Sequence, residues 1–79
     1  MPLTILLAAT LRKYIPGYDP AVGYELEIDP GTSIRQVARM LLISEQEVKL
    51  IMVNGIHEDW DTVLQGSERL ALFPPVGGA

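Results

Sequence analysis

The chain has 79 residues, enough for one small domain with a modest core. Nearly half of them are apolar, which places it among globular chains and excludes an intrinsically disordered one. It contains no cysteine, which excludes a disulfide framework, a thiol nucleophile and a thiolate metal site, and six basic against ten acidic residues give a net charge of −4. The bases Arg12, Lys13, Arg35, Arg39, Lys49 and Arg69 are scattered along the chain, which argues against nucleic-acid binding.

Leu3, Ile5 and Leu7 alternate with Thr4, Leu6 and Ala8, and this period of two predicts a strand. Leu6 and Ala8 make its second face apolar too, so that face is either covered or a contact surface. The apolar start is short, and Arg12-Lys13 follow it instead of preceding it. That order argues against a signal peptide or a membrane span and predicts a cytoplasmic protein. From Thr10 to Gly23 the reading is a partly ordered connection: Leu11, Tyr14 and Ile15 can pack, while Pro16-Gly17 and Asp19-Pro20 signal turns. Tyr24-Glu25-Leu26-Glu27-Ile28 predicts a second strand, antiparallel to the first, with Tyr24, Leu26 and Ile28 inward.

Asp29-Pro30-Gly31-Thr32 reads as a turn, and Ser33 with Gln36 has the spacing of a capping box. Ile34, Val37, Ala38, Leu41 and Leu42 then recur with helical spacing, predicting a helix that ends near Ile43. Ser44 to Glu47 allows one further turn. Val48 to Val53 favours a strand in which Val48, Leu50 and Met52 share a face. Asn54-Gly55 is a hairpin signal, because both residues tolerate positive φ, and Ile56 to Glu58 is the return strand. Asp59 to Leu64 shows no clear period; Trp60 and Leu64 are expected to plug the open end of the core. Gln65 to Glu68 is a turn. Arg69 to Phe73 is the last strand, with Leu70 and Leu72 on one face and Ala71 and Phe73 on the other. The order of elements predicts an α+β domain, a small mixed sheet packed on one helix.

The search for chemistry finds little. His57 is the only histidine, so neither a metal set nor a triad can be completed around it. Glu58, Asp59 and Asp61 flank Trp60 without the spacing of a calcium loop, and a solvated face explains them. Ser33 is explained by capping, and isolated turn glycines make no phosphate loop. An enzyme acting alone is not expected.

The end of the chain is different. Phe73-Pro74-Pro75-Val76-Gly77-Gly78-Ala79 leaves an apolar strand through two prolines and reaches two residues without side chains. Six residues beyond Phe73 span roughly 20 Å when extended. Together with Val48 to Gly55 and Leu64 to Phe73, this ending resembles the ubiquitin-like sulfur carriers of the MoaD/ThiS family, most closely the small subunit of molybdopterin synthase. The resemblance covers nearly the whole chain and implies a β-grasp fold over residues 1–73, with a flexible tail over 74–79.

It further implies that the reactive group is the chain's own C-terminal carboxylate, at Gly78. An E1-like adenylyltransferase (MoeB/ThiF-like) would adenylate it with ATP bound by that partner, and a sulfur donor would convert it to a thiocarboxylate. Pro74, Pro75, Val76 and Gly77 would enter a large synthase subunit (MoaE-like), and Phe73 and Leu6 are the candidate apolar contacts. No cofactor or metal is implied on the chain itself, and neither nucleic acid nor membrane is an expected partner. Two departures stand out: Ser67 replaces an aspartate common in relatives, and Ala79 follows the second glycine and would have to be removed. Sulfur transfer to thiamine thiazole, or a ubiquitin-like modifier or binding module, are the alternative functions.

Overall fold

A computed structural model describes residues 2–75. Five strands form the main sheet in the order β2-β1-β7-β4-β5. These are β1 (Leu3–Leu7), β2 (Tyr24–Leu26), β4 (Leu50–Val53), β5 (Ile56–His57) and β7 (Arg69–Phe73). β1 and β7 run parallel at the centre, and the other neighbours are antiparallel. A second pair, β3 (Thr32–Ser33) with β6 (Val63–Leu64), adjoins the one α-helix, α1 (Ile34–Met40).

The alternation read in the sequence decides which face of the sheet meets the helix. Leu3, Ile5 and Leu7 of β1, Leu70 and Leu72 of β7 and Ile51 of β4 are buried, and Ile34, Val37 and Ala38 of α1 close over them. Leu11, Ile15, Ile43 and Leu64 complete the core, and no polar side chain is buried among the described residues. Each fully buried leucine or isoleucine contributes about 1.5–3 kcal/mol, so this cluster is the main source of stability.

The helix has only two turns and would not persist in isolation. Its start is secured twice. Ser33 Oγ accepts from Gln36 N–H at 3.1 Å while Gln36 Oε1 accepts from Ser33 N–H at 2.8 Å, completing the capping box. The loop before β6 satisfies two more orphan donors: Ile34 N–H donates to the Thr62 carbonyl and Arg35 N–H to that of Trp60, both at 3.0 Å.

Four features depart from the sequence reading. The helix ends at Met40 and not near Ile43. Leu42 lies beyond it at φ +61 and is 83% exposed, off the apolar face to which its spacing assigned it. Leu42 N–H donates to the Arg39 carbonyl and Ile43 N–H to that of Ala38, which is a Schellman stop built without glycine. It turns Ile43 back into the core. Second, β2 stops at Leu26, and Tyr24 at this sheet edge is 37% exposed instead of inward. Third, Ala9–Tyr14 forms a 3-10 helix whose Leu11 is buried, where a partly ordered connection was expected. Fourth, the segment without a period contains β6, paired through only two residues on each strand.

The remaining elements follow the reading, except that β4 starts at Leu50 and not at Val48. Leu11, Tyr14 and Ile15 pack on or in the core, as do Trp60 and Leu64. Glu45–Glu47 is a single 3-10 turn, and Asn54-Gly55, at φ +51 and +81, joins β4 to β5. The predicted α+β class, a mixed sheet on one helix, is the observed one.

Candidate functional site

The sheet face turned away from the helix collects side chains from three strands. The registers Leu6↔Ala71, Met52↔Ala71 and Leu50↔Phe73 place Leu6, Ala71, Met52, Leu50 and Phe73 side by side on it. All five are partly exposed, whereas their sequence neighbours Leu7, Leu72 and Ile51 are buried. Leu6 and Phe73, the two contacts proposed from sequence, thus come together, and Met52 joins them in lining an open groove of about 470 Å³. Val48, Leu50 and Met52 were assigned a common face in advance; Leu50 and Met52 share it, and the β4–β7 register makes it Phe73's face, whereas Val48 packs against the core.

The lower end of this face is fixed by Asn54. Its N–H donates to the Arg69 carbonyl and its Oδ1 accepts from Arg69 N–H, each at 2.9 Å. The hairpin residue chosen for its positive φ therefore also clamps the start of β7. The preceding turn is held by Glu68, whose carboxylate accepts from the backbone N–H groups of Gln65, Gly66 and Ser67 at 2.7–3.1 Å. Burial pushes this carboxyl up, but those backbone donors outweigh it and leave its pKa below the ordinary value. Ser67 supplies only its N–H here.

The upper end is where β7 leaves the sheet. Lys49 N–H donates to the Phe73 carbonyl at 2.7 Å and Ala8 N–H to that of Leu72 at 3.1 Å. Pro74 and Pro75 follow and have no N–H, so neither β1 nor β4 can receive a bond from them. Around this exit, the 3-10 helix after β1 is tied to the turn before β4. The Tyr14 hydroxyl donates to Glu47, and Lys13 Nζ lies 3.1 Å from the same carboxylate. The Tyr14 hydrogen bond first, and then Lys13, hold the Glu47 carboxyl below its ordinary range. Tyr18 covers the part of β1 that β2 leaves unpaired, its hydroxyl accepting from Leu7 N–H at 2.8 Å.

Pro74 is half-buried and Pro75 exposed. Val76, Gly77, Gly78 and Ala79, where the reactive carboxylate and its approach were placed, lie outside the described residues. His57 is exposed on β5, and no group of histidine and acidic side chains able to hold a metal occurs among the described residues. Asp61 pairs with Arg35, which also meets Glu45 at 3.1 Å, and Asp59 and Glu58 accept hydrogen bonds from Thr62. These acids are accounted for by surface structure. No described helix is long and apolar enough to cross a membrane.

Comparison with known proteins decides the family. The model of the ThiS family matches residues 5–78. The chain belongs to the ThiS family. It is thereby one of the ubiquitin-like sulfur carriers of the ThiS/MoaD type, small proteins that are generally not catalysts themselves. Carriers of this type work with E1-like activating enzymes and synthase partners. No curated protein matches the sequence. Among solved structures, SAMP1 from Haloferax volcanii superimposes with a TM-score of 0.74 at 16% identity, covering 100% of both chains. At that identity the likeness concerns the fold, which is the β-grasp.

Proposed function

We propose that this ThiS-family chain carries sulfur on the carboxylate of Gly78 for the synthesis of a molybdopterin or tungstopterin cofactor. The observation that supports this most is the exit of β7. The strand's pairing ends at Phe73, at the edge of the apolar outer face, two residues without N–H follow, and the sequence then runs Val76-Gly77-Gly78. That arrangement suits a tail that is delivered to another protein while the sheet docks against it.

The chemistry needs no catalytic group from this chain. A carboxylate resists nucleophiles until it has a good leaving group. In the partner's site a carboxylate oxygen of Gly78 attacks the α-phosphorus of ATP and expels pyrophosphate. A persulfide of the sulfur donor then adds to the acyl carbon and AMP departs, giving an acyl disulfide; a second thiol attacks the donor's sulfur, leaves with it as a disulfide and releases the thiocarboxylate. ATP belongs to the activating enzyme, and this chain binds no cofactor. Pro74, Pro75, Val76 and Gly77 form the inserted tail, and Leu6 and Phe73 the apolar contact. The match to the family ends at Gly78, which supports cleavage after that residue. The reactions take place in the cytoplasm, where ATP and the partner enzymes are available.

The test is reconstitution. The chain ending at Gly78, the adenylyltransferase of its own organism and ATP should give pyrophosphate exchange, and addition of a sulfur donor should give the thiocarboxylate. Co-purification with a pterin synthase large subunit supports the pathway. Co-purification with a thiazole synthase instead would assign it to thiamine. Isopeptide conjugates without a thiocarboxylate would make it a modifier.

A further inference from the structure

The apolar strip on the outer face is framed by cations. Arg12 and Arg69 both line the groove that contains Leu6, Ala71 and Phe73. Arg12 is tethered beside the upper end of β1, its Nε donating to the Leu7 carbonyl at 3.3 Å. Arg69 opens β7, opposite Thr4. Three residues of strand separate these two levels, about 10 Å at 3.3 Å each. Neither guanidinium makes an ion pair among the described residues, although the chain has ten acidic side chains. None of those acids lines this groove or the adjoining one around Met52. Glu25 shares a row of the sheet with Arg69 but sits two strands away, across Thr4. Lys13 and Arg35 are paired with carboxylates, whereas Arg39 and Lys49, like Arg12 and Arg69, make no ion pair among the described residues. What sets Arg12 and Arg69 apart is their place: a protein of net charge −4 puts these two positive charges, with no acid between them, at the ends of the apolar strip on its outer sheet face.

The geometry points to a partner surface in which an apolar knob, seated on Leu6 and Phe73, is flanked by carboxylates that meet Arg12 and Arg69. This rests on the carrier reading, and the partner is the acidic docking face of the activating enzyme. Guanidinium groups suit that task because they present paired donors to carboxylates. Charges at an interface rim act mainly on encounter and register, and the apolar centre supplies most of the affinity. Such charges are screened over about 8 Å at physiological salt, so their contribution must fall as salt is added.

The test uses the chain ending at Gly78 and the adenylyltransferase of the same organism in ATP–pyrophosphate exchange. Arg12→Glu and Arg69→Glu should each raise the KM for the carrier about tenfold at low salt with kcat unchanged, and the difference should shrink toward unity in high salt. Arg39→Glu alters net charge equally but lies exposed on the last turn of α1, behind the sheet, and should leave KM unchanged. Equal KM values for all three variants overturn the assignment, as does a defect that ignores salt. Arg69 makes no side-chain hydrogen bond among the described residues, so Arg69→Glu decides the matter if Arg12→Glu loses the fold. Absence of exchange with the unsubstituted chain ending at Gly78 would overturn the carrier reading itself, and this inference with it.

Discussion

Leu72 and Phe73 are adjacent and both apolar, yet they belong to opposite faces of β7, and replacing each with alanine separates the two faces. Leu72 is 0% exposed, packed between β1 and β4 beneath the helix. Its loss to alanine should cost about 3 kcal/mol, within the range measured for buried leucines. Against a total of about 4–12 kcal/mol for a domain of this length, that is a large share. Phe73 is only partly covered and pairs across the strand with Leu50, so Phe73→Ala should cost about 1 kcal/mol. At about 4–8 °C per kcal/mol, the midpoints should fall by roughly 12–24 °C and 4–8 °C. Activation should invert the order. Phe73→Ala should lose about 2 kcal/mol of docking energy, roughly thirtyfold in the KM for the activating enzyme. Thermal melts followed by circular dichroism, with exchange assays below the melting range, check both. If Phe73→Ala melts as low as Leu72→Ala, the outer face is core and the docking argument fails.

Three further changes probe how that face is supported. Gly23 stands at φ +79, and an added methyl there would lie 2.8 Å from Leu6 Cδ2 and 2.9 Å from the Ile5 carbonyl oxygen. Gly23→Ala should therefore cost about 2 kcal/mol in urea unfolding, and a neutral result would contradict this close approach. Leu42→Gly should stabilise the fold by about 1 kcal/mol by removing the strain of a left-handed leucine; a lowered midpoint would show that Leu42 makes a contact worth more than the strain. Glu47 and Glu68 both have folded pKa values below the ordinary 4.5, so they add stability that is complete above that value and lost as acid passes through the folded pKa. The double change Glu47→Gln with Glu68→Gln should flatten the loss of urea stability between neutral pH and pH of about 3, and an unchanged acid limb would refute the assignment.

Local signals in the sequence carried most of this fold. The capping box at Ser33, the Asn54-Gly55 hairpin and the alternation in β1 and β7 each depend on residues a few positions apart, and each appears as expected. What stayed hidden was created by contacts distant in sequence. β3 and β6 have two residues each, too few for any period, and exist because Thr32 and Ser33 meet Val63 and Leu64. The helix stop at Leu42 carries no glycine to announce it; burial of Ile43 after the turn holds it in place. Tyr24 alternates correctly but lies on an edge strand that the helix does not cover.

The site divides in the same way. Leu6 and Phe73 stood out as apolar residues on the second face of their strands, while Leu50, Met52 and the cations Arg12 and Arg69 join them only through register. In the sequence the six bases look scattered; folding places two of them beside one groove. The tail was not legible from its composition alone: two prolines and two glycines at a chain end also suit one that merely frays, and the order of strands and hairpin before them is what gives them a role.

The chemistry proposed for this chain resides at Gly78. The most direct measurement is the intact mass of the native protein isolated from its own cells under demand for the sulfur-containing cofactor. The expected species is a chain ending at Gly78, a fraction of which carries sulfur in place of one carboxylate oxygen. A population that retains Ala79 throughout, with no thiocarboxylate, would contradict it.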